Sequence, residues 1–508
     1  VGQSLRFSIA NHEETANRNR FSCQILILKH QRNLITQHDS LPNRHSDPPL
    51  PEEAWMRCFV VLILIAITFS AATGRCQDTQ FPPAGRIAPE LQGEPENLPP
   101  LIIANEHSSA SMIGVNVSPP KPRPGEGITV SMLNETSTLK LSGSFSILGI
   151  AGTERTFVPW NPLFVLPPSY FGNNTNTFEL HSRQSSVQAV FSGPEMGGFK
   201  PGAFALIYLM NGSLTSDTYG LLPILAFADL QNEHWRFSAG LQNDLFAPRD
   251  PTVIPIARLG ASGNPGSFRG QVRLERSDQI TDEVKSKLQI AFSDPITTIL
   301  IDSNRRSTEG NGLPNLEGRG LLSLGAMTEL AGGRREAPAE LAIAGLIGEL
   351  RNSQIVTSLD DLLSASPFRR TVTSWGVSVD GKWNVTRQFG VSGEGYLGQA
   401  IGNYAANIFQ TFNSVTFAPV RGAGGWGEVF YYFSDQVHLH AGYGIESVNR
   451  SDLAADGIAR NSTYYSSVFW DITKTIQVSC QVDYRQTDYV TLHDNHALVF
   501  YSQMLWRF

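Results

Sequence analysis

The chain has 508 residues, a net charge of -7 and only 17% charged residues, and no run of Lys or Arg interrupts that balance, which excludes a nucleic-acid binder built on a basic patch. No stretch in the body of the chain reaches the ~20 consecutive apolar residues that a membrane helix needs, so any membrane crossing must be made by strands. Four cysteines, Cys23, Cys58, Cys76 and Cys480, show neither CxxC spacing nor a disulfide pattern; no disulfide framework, zinc site or other cofactor is expected.

In chain order, the first methionine is Met56, and residues 1–55 read as a non-native extension from an over-extended reading frame. From Met56 the text runs "MRCFVVLILIAITFSAATGRCQ": one positive residue, Arg57, then an apolar run from Cys58 to Phe69, then small residues. That order is a secretory signal peptide's, and the apolar run is too short for a membrane span. Residues 56–74 are therefore expected to be a leader, cleaved near Ala72 or Gly74. Arg75 directly before Cys76 argues against a lipoprotein. Residues 75–135 contain "FPPAGRIAPE", "ENLPP" and "SPPKPRPGEG", a proline density that breaks helices and ladders alike, and read as an extended periplasmic linker.

Residues 136–508 change to short alternating segments. "FRGQVRLER" sets Phe268, Val272 and Leu274 against Arg269, Gln271, Arg273 and Glu275. Residues 386–398 set Phe389, Val391 and Leu397 against Gln388, Ser392, Glu394 and Tyr396. "VHLHAGYGI" opposes Val437, Leu439, Ala441, Tyr443 and Ile445 to His438, His440, Gly442 and Gly444. "IQVSCQVDYRQ" opposes Ile476, Val478, Cys480, Val482 and Tyr484 to Gln477, Ser479, Gln481, Asp483 and Arg485. Strand faces repeat every second residue, so each segment has one apolar and one polar face.

Connections alternate too: 384–386, 434–436 and 471–475 are short, whereas 398–422 and 446–461 are long, the pattern of an outer-membrane barrel. A soluble sandwich also alternates, and the last strand decides between them. "ALVFYSQMLWRF" ends on Phe508 with Trp506 and Met504 on the same apolar face, a terminal pattern like the signature that barrel-assembly machinery reads. Lipid satisfies no backbone N–H or C=O, so such a sheet persists only by closing on itself. The fold expected is all-β: a transmembrane antiparallel barrel of about 16 strands with an open aqueous lumen, in the outer membrane of a Gram-negative-type cell, with lipid and the assembly machinery as partners.

Several stretches resemble the DcaP-like porins: "TFELHSRQSSVQAVFSGPEMGGFKPGAF" (Thr177 to Phe204), "SAGLQNDLFAPRDP" (Ser238 to Pro251), "GGWGEVFYYF" (Gly424 to Phe433), "AGYGIESVNRSDL" (Ala441 to Leu453) and the closing strands. The resemblance implies a trimer of sixteen-stranded barrels passing small hydrophilic solutes, anions and dicarboxylates among them, past basic residues in a constriction. Some members carry a coiled-coil segment before the barrel. Here that segment is broken by proline, so a homotrimer would rest on barrel walls alone.

Arg183 lies in the matching motif, and Arg236, Arg269, Arg273 and Arg485 fall on the polar parity of their strands; with His181 and Glu394 they are the expected pore-lining residues. A ring of positive charge in a narrow passage concentrates anions. The competing reading is that each arginine pairs with an inward acid such as Glu275, Glu394, Glu428 or Asp483 and braces the wall. Residues 243–255 are too rich in proline for a ladder and form either a constriction loop or an ordinary extracellular one.

"GVSVDGK" (376–382) fails as a phosphate loop, because Trp383 replaces the hydroxyl residue and the segment alternates as a strand. His438, His440, His493 and His496 lack a clear third metal ligand and read as pore or loop histidines. No GxSxG elbow occurs. The alternatives to a diffusion porin are a barrel hydrolase using His181 or His438 with a nearby Ser, and a structural or adhesive barrel binding through 398–422 and 446–461.

Overall fold

The computed structural model describes residues 127–132, 136–168, 175–210, 219–295, 308–352, 370–413 and 415–508. The stretches read as an extension and a leader, and nearly all of the stretch read as a linker, lie outside these residues. The first strand, β1 (Ile128–Met132), falls inside the stretch read as linker.

The rest is strand after strand: β2 (Ser137–Gly152), β3 (Thr177–His181), β4 (Ser186–Ser192), β5 (Lys200–Tyr208), β6 (Leu222–Gln231), β7 (Trp235–Asn243), β8 (Phe268–Thr281), β9 (Val284–Ser293), β10 (Thr308–Gly310), β11 (Asn315–Leu324), β12 (Thr328–Glu329), β13 (Arg335–Glu336), β14 (Ala339–Asn352), β15 (Arg370–Asn384), β16 (Phe389–Gln399), β17 (Arg421–Tyr432), β18 (Val437–Val448), β19 (Ile458–Asp471), β20 (Ile476–Tyr489) and β21 (Asn495–Arg507). Each wall strand pairs antiparallel with its sequence neighbour. β3 and β4 share one wall position against β2, interrupted at 182–185. β21 pairs back onto β2, Ser144 with Arg507 through Gly152 with Val499, which closes a barrel of 16 wall strands.

The seam is locked at its end. Gly143 and Phe508 exchange both backbone hydrogen bonds, at 3.1 and 3.0 Å, and the Phe508 ring lies 5.2 Å from Phe145. β1 then continues along β2 beyond that point, Ile128 opposite Leu141. The terminal aromatic residue therefore closes the ladder and covers its lowest outer rung. Trp506 and Met504 point outward beside it.

The parity pattern holds around the wall. On β14 Leu341, Ile343 and Ile347 face out and Ala342, Ala344 and Leu346 face in; on β20 Val482 and Tyr484 face out and Asp483 and Arg485 face in. Phe268 is a correction: it shares the outward parity of Val272 and Leu274, but at the mouth of the barrel its ring is buried among Tyr208, Ile224 and Ile256. The 376–382 stretch lies within β15.

Ile343, mid-strand and 62% exposed, is the position at which the surrounding medium is most directly tested. Ile343→Arg is expected to destabilise the barrel by about 2–4 kcal/mol in a bilayer, the range for a guanidinium at the midplane of an outer face. Denaturant unfolding from lipid vesicles measures it. An unchanged midpoint would mean that this face does not meet hydrocarbon.

One end of the barrel carries the tight connections 193–199, 232–234, 282–283, 385–388, 433–436 and 472–475, with 325–338 the longer exception holding the β12–β13 hairpin. The other end carries the long connections, of which 153–168, 244–267, 400–413 and 415–420 are described. The connection after β18 is shorter than read, 449–457, because β18 and β19 both run further than their clearest alternation.

Candidate functional site: the barrel lumen

The inward parity is where solute chemistry would lie. An open lumen would leave those side chains wet. In this structure most of them are buried right round the wall: Leu148, Gln271, Glu317, Ser378, Glu394, Glu428, Glu446, Thr463, Asp483 and Val499 among them. The lumen is therefore narrower than the strand count alone would leave it. Three segments from the long-loop end fold into the barrel and pack against its inner wall.

The first spans 153–168 and forms a small hairpin, with Thr156 bridged to Val165 and the Phe157 and Phe164 rings stacked at 4.8 Å. The wall holds it by donating to its carbonyls. Leu163 O accepts from Arg485 at 2.9 Å and Asn461 at 3.1 Å, Val165 O from Tyr489 at 2.8 Å and Leu166 O from Asn495 at 2.8 Å.

The second, 244–267, crosses to the opposite wall and answers the question left open by the sequence in favour of the lumen. Here the wall both donates, from Ser378, Asn461 and Ser467 to Phe246 O, Ala261 O and Thr252 O, and accepts. Backbone N–H groups of Leu245, Arg249, Thr252 and Gly263 donate to Glu317 (2.7 Å), Glu394 (3.3 Å), Glu428 (2.9 Å) and Glu446 (3.1 Å), and Ile254 N–H donates to Gln481 at 2.6 Å. Carboxylates suit this role because a segment without a ladder has unpaired amides to satisfy. The approach is close enough to require glycine on both sides. A Cβ on Gly263, whose φ is +106°, would lie 2.1 Å from Gly425 O, and one on Gly444 would lie 2.1 Å from Ser262 O.

The third, 400–420, packs on the second: Gly266 N–H donates to Tyr404 O at 2.8 Å, and Glu446 also accepts from Ile408 N–H. Together the three build a hydrophobic core inside the barrel, with Trp160, Leu163, Ile256, Ala257, Ala261, Ala405 and Ile408 in one cluster. Burial, followed by the neighbouring Glu317 carboxylate, pushes the Asp244 carboxyl at the base of the second segment up to about 6. Its protonated form is the one the fold favours, so its contribution to stability is complete below the ordinary Asp value and is lost as pH rises through about 6.

The five arginines singled out from the sequence face inward, and all of them lie against infolded or wall groups. Arg183 lies 5.0 Å from the Trp160 ring and 5.4 Å from that of Tyr219. Arg269 sits 3.6 Å over Tyr404 and donates to Asn403 O at 2.8 Å. Arg273 meets Glu275 at 3.5 Å and Arg485 meets Asp483 at 2.8 Å. Arg236, bound to Asp229 at 2.6 Å and Glu275 at 3.2 Å, keeps 25% side-chain exposure. Glu394 anchors the second segment.

His181 has both ring nitrogens engaged by backbone, Nε2 with Trp160 O at 3.0 Å and Nδ1 with Arg183 N–H at 3.3 Å, which leaves neither to activate a serine. His438 Nδ1 and His440 Nε2 are 2.9 Å apart, and His440 Nδ1 lies 3.5 Å from Glu428. Among the described residues no group of three or more His, Cys, Asp or Glu is placed to hold a metal ion.

No family model matches the chain, and no curated protein matches it. Among solved structures it is similar to the outer membrane channel DcaP of Acinetobacter baumannii, with a TM-score of 0.56 and 13% identity over 75% of this chain and 100% of that one. The anion-selective porin from Comamonas acidovorans (TM-score 0.45, 9% identity, 73% and 100% covered) and Salmonella typhi OmpF in complex with daunomycin (0.44, 12%, 75% and 100%) score lower. The likeness to DcaP is one of fold.

The residue that reading by strands missed is Arg249, carried on the second segment. Its Nε donates to Asp380 at 2.7 Å and a terminal nitrogen to Glu340 at 3.0 Å, while Arg319 takes the other Asp380 oxygen at 2.7 Å. Glu340 remains 29% exposed, so this cluster borders the wetter short-turn half, where Arg236, Lys382, Glu336, Asp471 and Arg507 also keep partial exposure. There the 325–338 connection reaches beneath the wall. Ala331 N–H donates to Arg387 O, Gly332 N–H to Asp435, each at 2.9 Å, and Arg334 covers the Tyr432 ring at 4.1 Å.

Proposed function

We propose that the protein is an outer-membrane porin for passive diffusion of small hydrophilic solutes, including anions, with its short-turn end in the periplasm. The observation that carries this reading is the distribution of charge on a closed sheet. Apolar side chains cover the outside, while Asp229, Arg236, Glu275, Lys287, Arg319, Glu340, Asp380 and Lys382 all point inward from the wall, and Arg249 meets two of them from the infolded segment. Charges placed inside a barrel of this size suit the passage of hydrated solutes.

The test is incorporation of the purified full chain into planar bilayers. Stepwise ohmic current is expected, in groups of three if barrels associate as homotrimers, with a reversal potential displaced toward the anion in a salt gradient. Intact barrels that never carry current would defeat the porin reading.

A further inference from the structure

We propose that segments 244–267 and 400–420 form a displaceable stopper, latched to the wall by Glu317, Glu394, Glu428 and Glu446, and that current flows when the latch lets go. The inference rests on the porin reading and concerns how the same lumen opens.

Three independent features point to it. First, the lumen is occupied by chain outside the barrel's ladder: the segments occupy the connections after β7 and β16, so withdrawing them breaks none of the bonds that close the sheet. Second, the stopper's amides converge on a few acids. Backbone N–H groups of Leu245, Arg249, Thr252 and Gly263 donate to four buried carboxylates on β11, β16, β17 and β18, beside wall hydroxyl and amide donors to its carbonyls at Phe246, Thr252 and Ala261. One of these carboxylates, Glu446, holds both stopper segments at once, through Gly263 and Ile408.

Third, the backbone is strained in the stopper segments. Among the described residues every non-glycine residue with positive φ lies within them: Arg258, Leu259 and Ala261 in one, and Ala400, Ala405, Asn407, Ile408, Phe409 and Phe417 in the other. Left-handed backbone is disfavoured for these side chains apart from Asn407, and most of all for β-branched Ile408. Such conformations persist only where surrounding contacts impose them and are characteristic of segments with a second state. The hairpin at 153–168 contains none, so it is the fixed part of the filling.

A reversible cross-link tests this directly. Ser262 Oγ and Thr463 Oγ1 lie 2.9 Å apart, joining the stopper to β19. The pair Ser262→Cys and Thr463→Cys, in a background with Cys23, Cys58, Cys76 and Cys480 all replaced by Ser, ties the stopper in place when oxidised; intact mass before and after reduction verifies the bond. Oxidised channels are expected to carry about tenfold less current than the same channels after reductant, while the background protein does not respond. A second variant, Glu428→Gln with Glu446→Gln, is expected to spend more time open.

Equal current from the oxidised and reduced forms, with the cross-link verified, would overturn the stopper while leaving the porin reading intact. A variant with 246–264 replaced by a short Gly-Ser linker separates the two ideas further. If its folded barrels still carry no current, the porin reading fails and the stopper with it.

Discussion

Replacing Arg485 with methionine is expected to cost the barrel about 3–5 kcal/mol of stability, the range for removing one partner of a buried ion pair. Arg485 and Asp483 are both fully buried and lie 2.8 Å apart. Asp483 also accepts from Tyr501 at 2.9 Å and Gln481 at 2.7 Å, and Arg485 donates to Leu163 O of the fixed hairpin. The substitution thus strands a carboxylate and frees the hairpin's carbonyl in one step. The size of the loss comes from the stranded charge and not from the missing attraction, so Arg485→Met with Asp483→Asn should regain most of it. Denaturant titrations in detergent, following the gel shift between folded and unfolded barrel, measure both. A single variant within 1 kcal/mol of wild type would show that Asp483 has other means of neutralisation.

Arg485 also shows what sequence can and cannot convey about this molecule. Parity along "IQVSCQVDYRQ" places it inward because strand period is a local property, and the same logic gave the all-β barrel, its short turns and the outward Met504, Trp506 and Phe508. Parity is silent on what waits inside. The partner that buries Arg485 is a carbonyl at position 163, more than three hundred residues away, and no pattern within β20 announces it. The infolding did leave traces. Residues 245–261 include Leu245, Phe246, Val253, Ile254, Ile256 and Leu259, too apolar for a connection exposed to water, and β18 carries Gly442 and Gly444 on its inward parity, where bulk is expected unless another chain passes close by. Both are features of composition at a distance, legible as a pair only once the fold brings them together. Phe268 was misread for a related reason: a parity rule drawn from mid-strand fails at a mouth where loops cover the wall.

Arg249→Gln is the substitution expected to alter selectivity most, and Arg183 the less informative choice despite its motif. Around Arg249 three guanidinium groups, those of Arg249, Arg258 and Arg319, face four carboxylates, Asp250, Glu340, Asp380 and Glu394. Removing one cation raises the excess of acids from one to two beside the partly exposed Glu340. At contact distance and an effective dielectric near 20, one unit charge is worth about 4 kcal/mol to a passing ion. Even heavily screened, that should move the permeability ratio toward cations by at least about twofold, read as a displaced reversal potential in a salt gradient. Arg183, by contrast, lies buried beside Trp160 and Tyr219 and away from the wetter half. Arg249→Lys separates charge from anchoring: lysine keeps the cation but cannot span Asp380 and Glu340 in the same planar geometry, so its selectivity should stay near wild type while the stopper is held less firmly. If glutamine and lysine shift the reversal potential equally, the effect belongs to the position of the segment and not to its charge. If neither shifts it, solutes do not pass Arg249 and the passage must run along another part of the wall.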